Sequence, residues 1–411
     1  MPDTGLNQDN SKVHNRALVL KLIKQHPGIT RADLAIQTGL SKPAITKIMN
    51  AYLDKGIIKE DKVGVSRNKG LIVADGFLYA VVVYLGRLSL TGALYDIGGK
   101  VMKREQLQGV TFFGNDDLAH NTIELIERII RDCGIEKKRI LAVALAAPGA
   151  VNSSTGTVYN RSVPALDTRV DVPFNWGKID LVDIVQERLD LPVFLENNSN
   201  LSALAESWFG KGLGIRNFVQ YSIGMGLGGG AILDGRLFSG HDGIALEIGH
   251  TSVDMHGELC FCGNRGCLET FASFKKIVER YDKTENISDN EGLVKRLTDI
   301  FTRAERHEEK AELILRDHAR RLASGAVTLI NMFSPEKLII STNELDTAAI
   351  PIHIMARDIE QYVRRHAYPV IAERVKIEMS ELGEDIHLHG AYALILEHLY
   401  SLIDNTIEGG L

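Results

Sequence analysis

Three of the four cysteines in this chain, Cys260, Cys262 and Cys267, fall within eight residues, while Cys133 lies far away. A tight cluster of thiols serves soft-metal binding or redox chemistry. Gly263 and Gly266 stand between Cys262 and Cys267 and let the loop fold back, so that all three sulfurs aim at one point. Zinc takes four tetrahedral nitrogen or sulfur ligands. His250 is the best fourth ligand, giving His-x9-Cys-x-Cys-x4-Cys, and His256 is the competing candidate. A disulfide leaves an odd cysteine, and Cys-x-Cys is sterically awkward for one; buried free thiols are the other plain alternative. The spacing predicts a structural Zn2+ held by His250, Cys260, Cys262 and Cys267.

At 411 residues the chain has room for two or three structural units with real cores. Hydrophobic content of 45% and charged content of 24% are those of an ordinary soluble globular protein. There is no long uncharged apolar run and no secretory leader pattern, which reads as a cytoplasmic chain without membrane insertion. The net charge of −6 hides an asymmetry. Residues 1–75 hold 12 Lys and Arg against 7 Asp and Glu, and the rest holds 35 against 46. A basic head on an acidic body suggests that the head meets a polyanion.

The head has its own grammar. Residues 1–12 are polar and expected to be disordered, and residues 14–25 pattern as a helix stopped by Pro27-Gly28. Thr30 caps a short helix with Leu34 and Ala35 inward, and Gly39 supplies a tight turn. Ser41 caps the next helix, with Pro43 early in it and Ile45, Ile48 and Leu53 holding it to the core. Two short helices joined by a glycine turn form a helix-turn-helix. The outer side of the second helix carries Ser41, Lys42, Ala44, Thr46, Lys47 and Asn50, small, polar or basic residues that fit a major groove and its phosphates. An extended segment with a charged tip follows and reads as a β-hairpin wing, with Arg67 and Lys69 placed for backbone or minor-groove contact with double-stranded DNA.

Beyond residue 75 the pattern changes to strands alternating with helices, an α/β arrangement. Strands are expected at residues 77–85, 88–95, near Val101, at 140–146, 191–195 and 218–223, and at 337–341. Helices are expected from Asp116 to about Cys133, with Ile126, Ile129 and Ile130 on one face, and at 201–209 and 309–333. Polar residues cluster at the strand ends, where such sheets place ligands: Asn197 and Asn198 after one strand, Glu247 and His250 before the cysteine loop, Glu269 after it. Amides, carboxylates and imidazoles in fixed directions can read the hydroxyls of a monosaccharide.

Glu247-Ile248-Gly249-His250, followed by Cys260-x-Cys262-Gly-x-x-Gly-Cys267-Leu268-Glu269, resembles the signature of the ROK family of repressors, open reading frames and sugar kinases. The resemblance spans nearly the whole chain, and the head is similar to the N-terminal winged helix of ROK repressors, which ROK kinases lack. It implies a winged helix-turn-helix followed by a two-lobed α/β actin-like (ASKHA, ribonuclease H-like) ROK domain. Expected divisions are the winged helix at 1–75, a first lobe at 76–200, and a second lobe at 201–411 with the zinc loop, its closing helices returning to the first. The resemblance also implies sugar contacts from Asn197, Asn198, Glu247, His250 and Glu269, with Gly149 and Asn160 on loops that approach the sugar, and it makes His250 both a metal ligand and a sugar contact.

Against the family's kinases this chain departs in several places. They show an Asn-Asp pair where this chain has Asn197-Asn198, and an amide cannot act as the general base that a sugar kinase requires. The stretch matching their first phosphate loop reads Val83-Tyr84-Leu85-Gly86-Arg87, and the second reads Gly224-Met225-Gly226-Leu227-Gly228. The turn where adenosine would sit reads Ile340-Ser341-Thr342-Asn343-Glu344. The glycine run at 224–230 is expected to serve close packing between lobes. The Asn-for-Asp replacement is similar to the xylose-repressor branch. The resulting expectation is a sugar-responsive repressor of a carbohydrate-utilisation operon, not an enzyme, acting as a homodimer or homotetramer. A residual ATP-dependent sugar kinase, and a repressor controlled by a protein partner, are the competing readings.

Overall fold

The computed structural model describes residues 8–62, 69–74, 76, 78–86, 89–108, 115–159, 178–283, 290–342 and 353–408. The chain opens with α1 (Gln8–Gln25), α2 (Arg31–Thr38) and α3 (Lys42–Asp54), then an antiparallel hairpin of β1 (Ile58–Lys62) and β2 (Lys69–Val73). This is a winged helix, and its caps are those the residue types dictate. The Thr30 hydroxyl accepts the Asp33 N–H at 3.2 Å, while the Asp33 carboxylate accepts the Thr30 N–H at 3.4 Å. Gly39 closes α2 at φ +69°, a left-handed conformation that L side chains avoid. One expectation needs correction: helix α1 starts at Gln8, inside the stretch expected to be disordered. Ile45 of α3 is buried as expected, and Ile48 and Leu53 pack half-buried against the same core; Met49 and Tyr52, which the sequence reading did not single out, complete the i, i+4, i+7 line of a 3.6-residue helix.

The first half of the body contains β3 (Tyr79–Leu85), β4 (Ser89–Asp96), β5 (Val101–Gln108), α4 (Asn115–Cys133), β6 (Ile140–Ala147), three short strands β7 (Ala150–Asn152), β8 (Thr157–Tyr159) and β9 (Lys178–Ile179), α5 (Leu181–Leu189) and β10 (Val193–Asn197). The short strands and α5 were not expected from the sequence. Helix α4 turns Leu125, Ile126 and Ile129 inward, with Ile130 half-buried beside them. The second half contains α6 (Asn198–Phe209), β11 (Phe218–Ile223), β12 (Leu227–Leu233), β13 (Arg236–Leu237), α7 (Leu268–Ala272), α8 (Phe274–Asp282), α9 (Asn290–Glu305), α10 (Glu309–Phe333), β14 (Lys337–Ser341), α11 (His353–His366), α12 (Pro369–Arg374), β15 (Lys376–Met379) and α13 (Ile386–Glu408).

The two main sheets repeat one topology. The first runs β10-β6-β3-β4-β5 and the second β13-β12-β11-β14-β15. In each, three strands form an antiparallel meander, and two later strands add in parallel on the other side of the first. This is the two-lobed actin-like, ribonuclease H-like architecture. Strands β3 and β6 are buried along their whole length, as parallel strands covered on both faces must be.

Helix α6 lies between the sheets, and the glycine run explains how. Part of that run is strand β12 rather than a loop. A Cβ at Gly228 would lie 2.1 Å from the Ser199 hydroxyl, and one at Gly230 would lie 2.4 Å from the Ser199 carbonyl oxygen. The run therefore allows a strand of the second sheet to sit directly on α6. On its other side α6 meets α13, where a Cβ at Gly390 would lie 2.0 Å from the Leu201 carbonyl oxygen. Helix α13 returns to the first sheet and packs across β6 and β3.

The head is not tethered loosely. One apolar core runs from Val19, Leu20 and Ile23 of α1 through Leu396, Leu399 and Ile403 of α13 to Leu201, Leu204 and Trp208 of α6. Burying an aliphatic side chain is worth about 1.5–3 kcal/mol, against about 0–1 kcal/mol for an exposed ion pair. The seam between head and body is thus held by apolar contact. Among the described residues, no helix is long and apolar enough to cross a membrane.

Candidate functional site

The cysteine loop leaves a short 3-10 turn, Ile248–His250, and returns to α7. Antiparallel bridges between Ser252 and Cys267 and between Leu259 and Arg265 fold it into a narrow finger. Both loop glycines are conformationally required. Gly263 and Gly266 have φ of +91° and +63°, and a Cβ at Gly266 would lie 1.7 Å from the Asp254 carbonyl oxygen. The result brings one atom each of His250, Cys260, Cys262 and Cys267 within 4.8 Å of one another. His250 Nδ1 stands 3.6 Å from Cys260 Sγ, and Cys262 Sγ stands 3.6 Å from Cys267 Sγ. A tetrahedral ion with bonds of about 2.3 Å to sulfur and about 2.0 Å to nitrogen sets edges of about 3.8 Å between sulfurs and about 3.5 Å between sulfur and nitrogen. The four ligands fit such an ion, and none of the four cysteines is in a disulfide. His256 stays exposed on the loop and takes no part in the cluster. Burial pushes the Cys260 thiol up to about 11 and the Cys267 thiol up as well, so thiolate ligation needs a cation's charge to offset that burial.

The imidazole of His250 has two faces. Nδ1 looks into the sulfur cluster, while Nε2 lies 4.0 Å from a Glu247 carboxylate oxygen. Glu247 keeps 42% of its side-chain surface open. Burial still pushes its carboxyl pKa up, opposed by His250 and reinforced by Glu269. The Glu269 carboxylate accepts the Leu227 N–H at 3.0 Å. Gly249 makes room between them, since a Cβ there would lie 2.3 Å from the Leu227 carbonyl oxygen and 3.3 Å from Glu269 Oε2.

The second group of polar residues begins where β10 becomes α6. Asn197 caps the helix: its side-chain Oδ1 accepts the N–H of Ser199 at 2.7 Å and of Asn200 at 3.4 Å. Its amide nitrogen donates to the Gly149 carbonyl at 2.8 Å. Gly149 has φ +79°, and its surface is exposed. Asn198 is buried in the first turn of α6; its carbonyl accepts from the Ser202 hydroxyl at 3.0 Å and from His387 Nδ1 at 3.2 Å. The two groups meet through the start of β12, where Leu227 is tied to Glu269 and Gly228 abuts Ser199. Asn160, Arg67, Asn343 and Glu344 lie outside the described residues.

Sequence reasoning missed a third layer beneath these. Glu196 is buried, and its carboxylate accepts the Asn197 N–H at 2.8 Å and Asn200 Nδ2 at 3.0 Å. Burial pushes its pKa up, against hydrogen bonds from Asn200, Asn197 and Ser153. Asn200 also donates to the Gly243 carbonyl at 3.4 Å, tying the loop before Glu247 to α6. The available signal was an acidic residue closing a buried strand, but nothing local distinguishes Glu196 from a solvated charge.

On the head, Ser41, Lys42, Thr46, Lys47 and Asn50 are exposed along α3, and Ala44 is half-buried. Ser41 accepts the Ala44 N–H at 3.4 Å and Thr46 donates to the Lys42 carbonyl at 2.9 Å, so these hydroxyls also serve the helix. Lys69 begins β2, paired in register with Lys62.

The ROK family profile matches residues 80–398, and that of a winged helix-turn-helix DNA-binding family matches residues 15–59. A xylose repressor from Caldicellulosiruptor bescii is 27% identical over 403 residues, covering 94% of this chain and 96% of its own. The DNA-binding transcriptional dual regulator NagC of Escherichia coli K12 is 28% identical over 403 residues, covering 95% and 94%. The crystal structure of a ROK family transcriptional regulator, described as a homologue of the E. coli MLC protein, superposes with a TM-score of 0.78 at 29% identity, over 98% of this chain and 100% of that one.

Asn197→Ala is expected to cost about 1–2 kcal/mol in urea denaturation, the usual loss of an N-cap. Asn197→Asp keeps the capping oxygen and should recover most of that loss. Equal destabilisation by both would mean that the bond to Gly149, not the cap, is what Asn197 supplies.

Proposed function

This chain belongs to the ROK family, and from that premise we propose that it is a transcriptional repressor whose affinity for operator DNA is set by a monosaccharide bound in the cleft. The observation that carries the reading is the union in one chain of a winged helix with an exposed basic helix face and a body in which Glu247, His250 and Glu269 flank the cysteine cluster and meet the start of α6 through β12. The similarity to named repressors over nearly the full length supports it.

In this reading α3 enters the major groove of a two-fold operator, with Ser41, Lys42, Ala44, Thr46, Lys47 and Asn50 on the groove side and Arg67 and Lys69 on the wing. The sugar lies against Asn197, Asn198, Glu247, His250 and Glu269, and the family resemblance adds Gly149 and Asn160 as further contacts. His250 uses Nδ1 for the metal and Nε2 for a hydroxyl. The metal is zinc: three thiolates and an imidazole at tetrahedral spacing are its preferred set. It would stiffen the finger that ends in Glu269 and fix the ring of His250. A dimer or tetramer presents two winged helices, and the sugar changes their spacing through its unequal affinity for two lobe arrangements.

The cleft is read as non-catalytic. Asn198 stands where a sugar kinase needs a carboxylate, and loss of a general base alone removes a factor of about 10²–10⁴. The buried Glu196 does not replace it, because its carboxylate already accepts from Asn197 and Asn200. The phosphate-loop positions hold Leu85, Arg87 and Met225 where the resemblance places a glycine or a threonine in the kinases.

A panel of monosaccharides tested by thermal shift on zinc-loaded protein should give a hit. Binding at 100 times Kd should stabilise the fold by about 2.7 kcal/mol. Glu247→Ala should abolish both that shift and sugar-induced release from DNA; retention of both would place the site elsewhere. A flat panel with folded, metal-loaded protein would shift the reading to control by a protein partner, and ATP turnover would overturn the non-enzymatic assignment. Chelation, or Cys260→Ser, should remove one equivalent of zinc and lower stability by more than about 4 kcal/mol, the class of loss that follows removal of a structural metal. Unchanged stability on metal removal would contradict the structural role.

A further inference from the structure

Helix α6 has one end in the proposed sugar cleft and the other against the DNA-binding head. Its first turn contains Asn198, capped by Asn197, and its last turn contains Ser207 and Trp208. Twelve residues of helix span about 18 Å. The helix is buried from Asn198 to Trp208, with glycine-permitted contacts on two sides, at Gly228 and Gly390. A helix so enclosed has no free side toward which to bend, so displacement at one end is passed to the other.

At the head end α1 adds polar contacts to the apolar seam. Lys21 Nζ donates to the Ser207 hydroxyl and lies 5.5 Å from the centre of the Trp208 ring. Gln25 Nε2 donates to the carbonyls of Ser207 and Trp208, both at 3.5 Å. Trp208 Nε1 in turn donates to Glu397 Oε1 of α13 at 3.3 Å. Burial pushes the Lys21 ammonium down to about 8 against the pull of Glu397, and pushes Glu397 up. Buried polar groups of this kind tie partners to one geometry more than they add stability. An apolar seam alone would let α1 slide along α6; a lysine anchored to one hydroxyl would not.

We propose that α6 carries the state of the sugar cleft to the winged helix as a rigid rod, and that Lys21 is the positioning residue that reads its far end. This deepens the functional reading above and rests on it. Loss of Lys21 or of the Ser207 hydroxyl should leave each binding site intact and weaken the communication between them.

The test uses the full chain, an operator duplex selected from a random-sequence library by the wild-type protein, and whichever of D-xylose, D-glucose and N-acetylglucosamine gives the largest thermal shift. Operator affinity is measured by fluorescence anisotropy with and without saturating sugar, and sugar affinity by calorimetry. In Lys21→Met and Ser207→Ala, both separate affinities should stay within about threefold of wild type, while the ratio of operator affinities should fall at least about fivefold, a range set by ordinary allosteric couplings. Ser207→Ala removes a single hydroxyl oxygen and decides the matter if Lys21→Met folds poorly. A wild-type ratio in folded Ser207→Ala protein overturns the relay and leaves the functional reading standing. A wild-type chain whose operator affinity ignores every sugar overturns both.

Discussion

A helix buried on every side exists only where its neighbours make room for it, and in this chain the room is made by glycine. Gly228 and Gly230 bring strand β12 onto Ser199 and Ala203, and Gly390 brings α13 onto the backbone of Leu201. Replacing the hydrogen at any of these positions by a methyl would push against backbone or a packed neighbour, a strain that close-packed interiors do not absorb cheaply. With those contacts in place, α6 becomes the shared wall of both lobes. Its N-terminus then falls where β10 ends, so the cap residue Asn197 and the buried Asn198 are set beside the start of β12 as a consequence of the packing. The head is attached to the same wall, through α1 and α13.

The metal finger depends on that wall indirectly. Glu269 stands two residues after the last cysteine, in α7, and is held by the first amide of β12, the strand the glycines press onto α6. His250 is fixed from one side by the sulfur cluster and from the other by the turn that Gly249 permits. Glu247, His250 and Glu269 are thereby held together at the base of the finger. The bridges at Ser252 and Leu259 close the finger, and in the proposed reading an ion shared by the four side chains stiffens it further.

Much of this was legible in the residues because it is local. Caps at Thr30, Asn197's neighbours in a polar strand end, the glycine at position 39 and the thiol spacing act over a few residues, and the chemistry of each allows few alternatives. The long helix Glu309–Phe333 and strand Lys337–Ser341 fall where periodicity and Pro335 put them. What was not legible is paired across long separations. Lys21 and Ser207 are 186 residues apart, and His387 meets Asn198 across 189. Glu196 looks like any acidic strand end until Asn200 and the loop at Gly243 close over it. The stripe of α3 was legible only in part for a related reason: Ile45, Ile48 and Leu53 do meet the core, but only the packing around them buries Met49 and Tyr52 more deeply. The duplication of the sheets was invisible because topology repeats where side chains do not.

The central claim is that sugar cleft and DNA-binding head form one thermodynamic system. Linkage makes this reciprocal: whatever factor the sugar takes from operator affinity, the operator must take from sugar affinity. The direct measurement is calorimetric titration of the sugar into the protein alone and into the protein saturated with its operator duplex. The account predicts that the sugar Kd rises on the DNA-bound protein by the same factor, within about 5–150-fold, by which the sugar weakens DNA binding. An identical sugar Kd in the two titrations would show that the cleft and the head are independent, and would contradict the account.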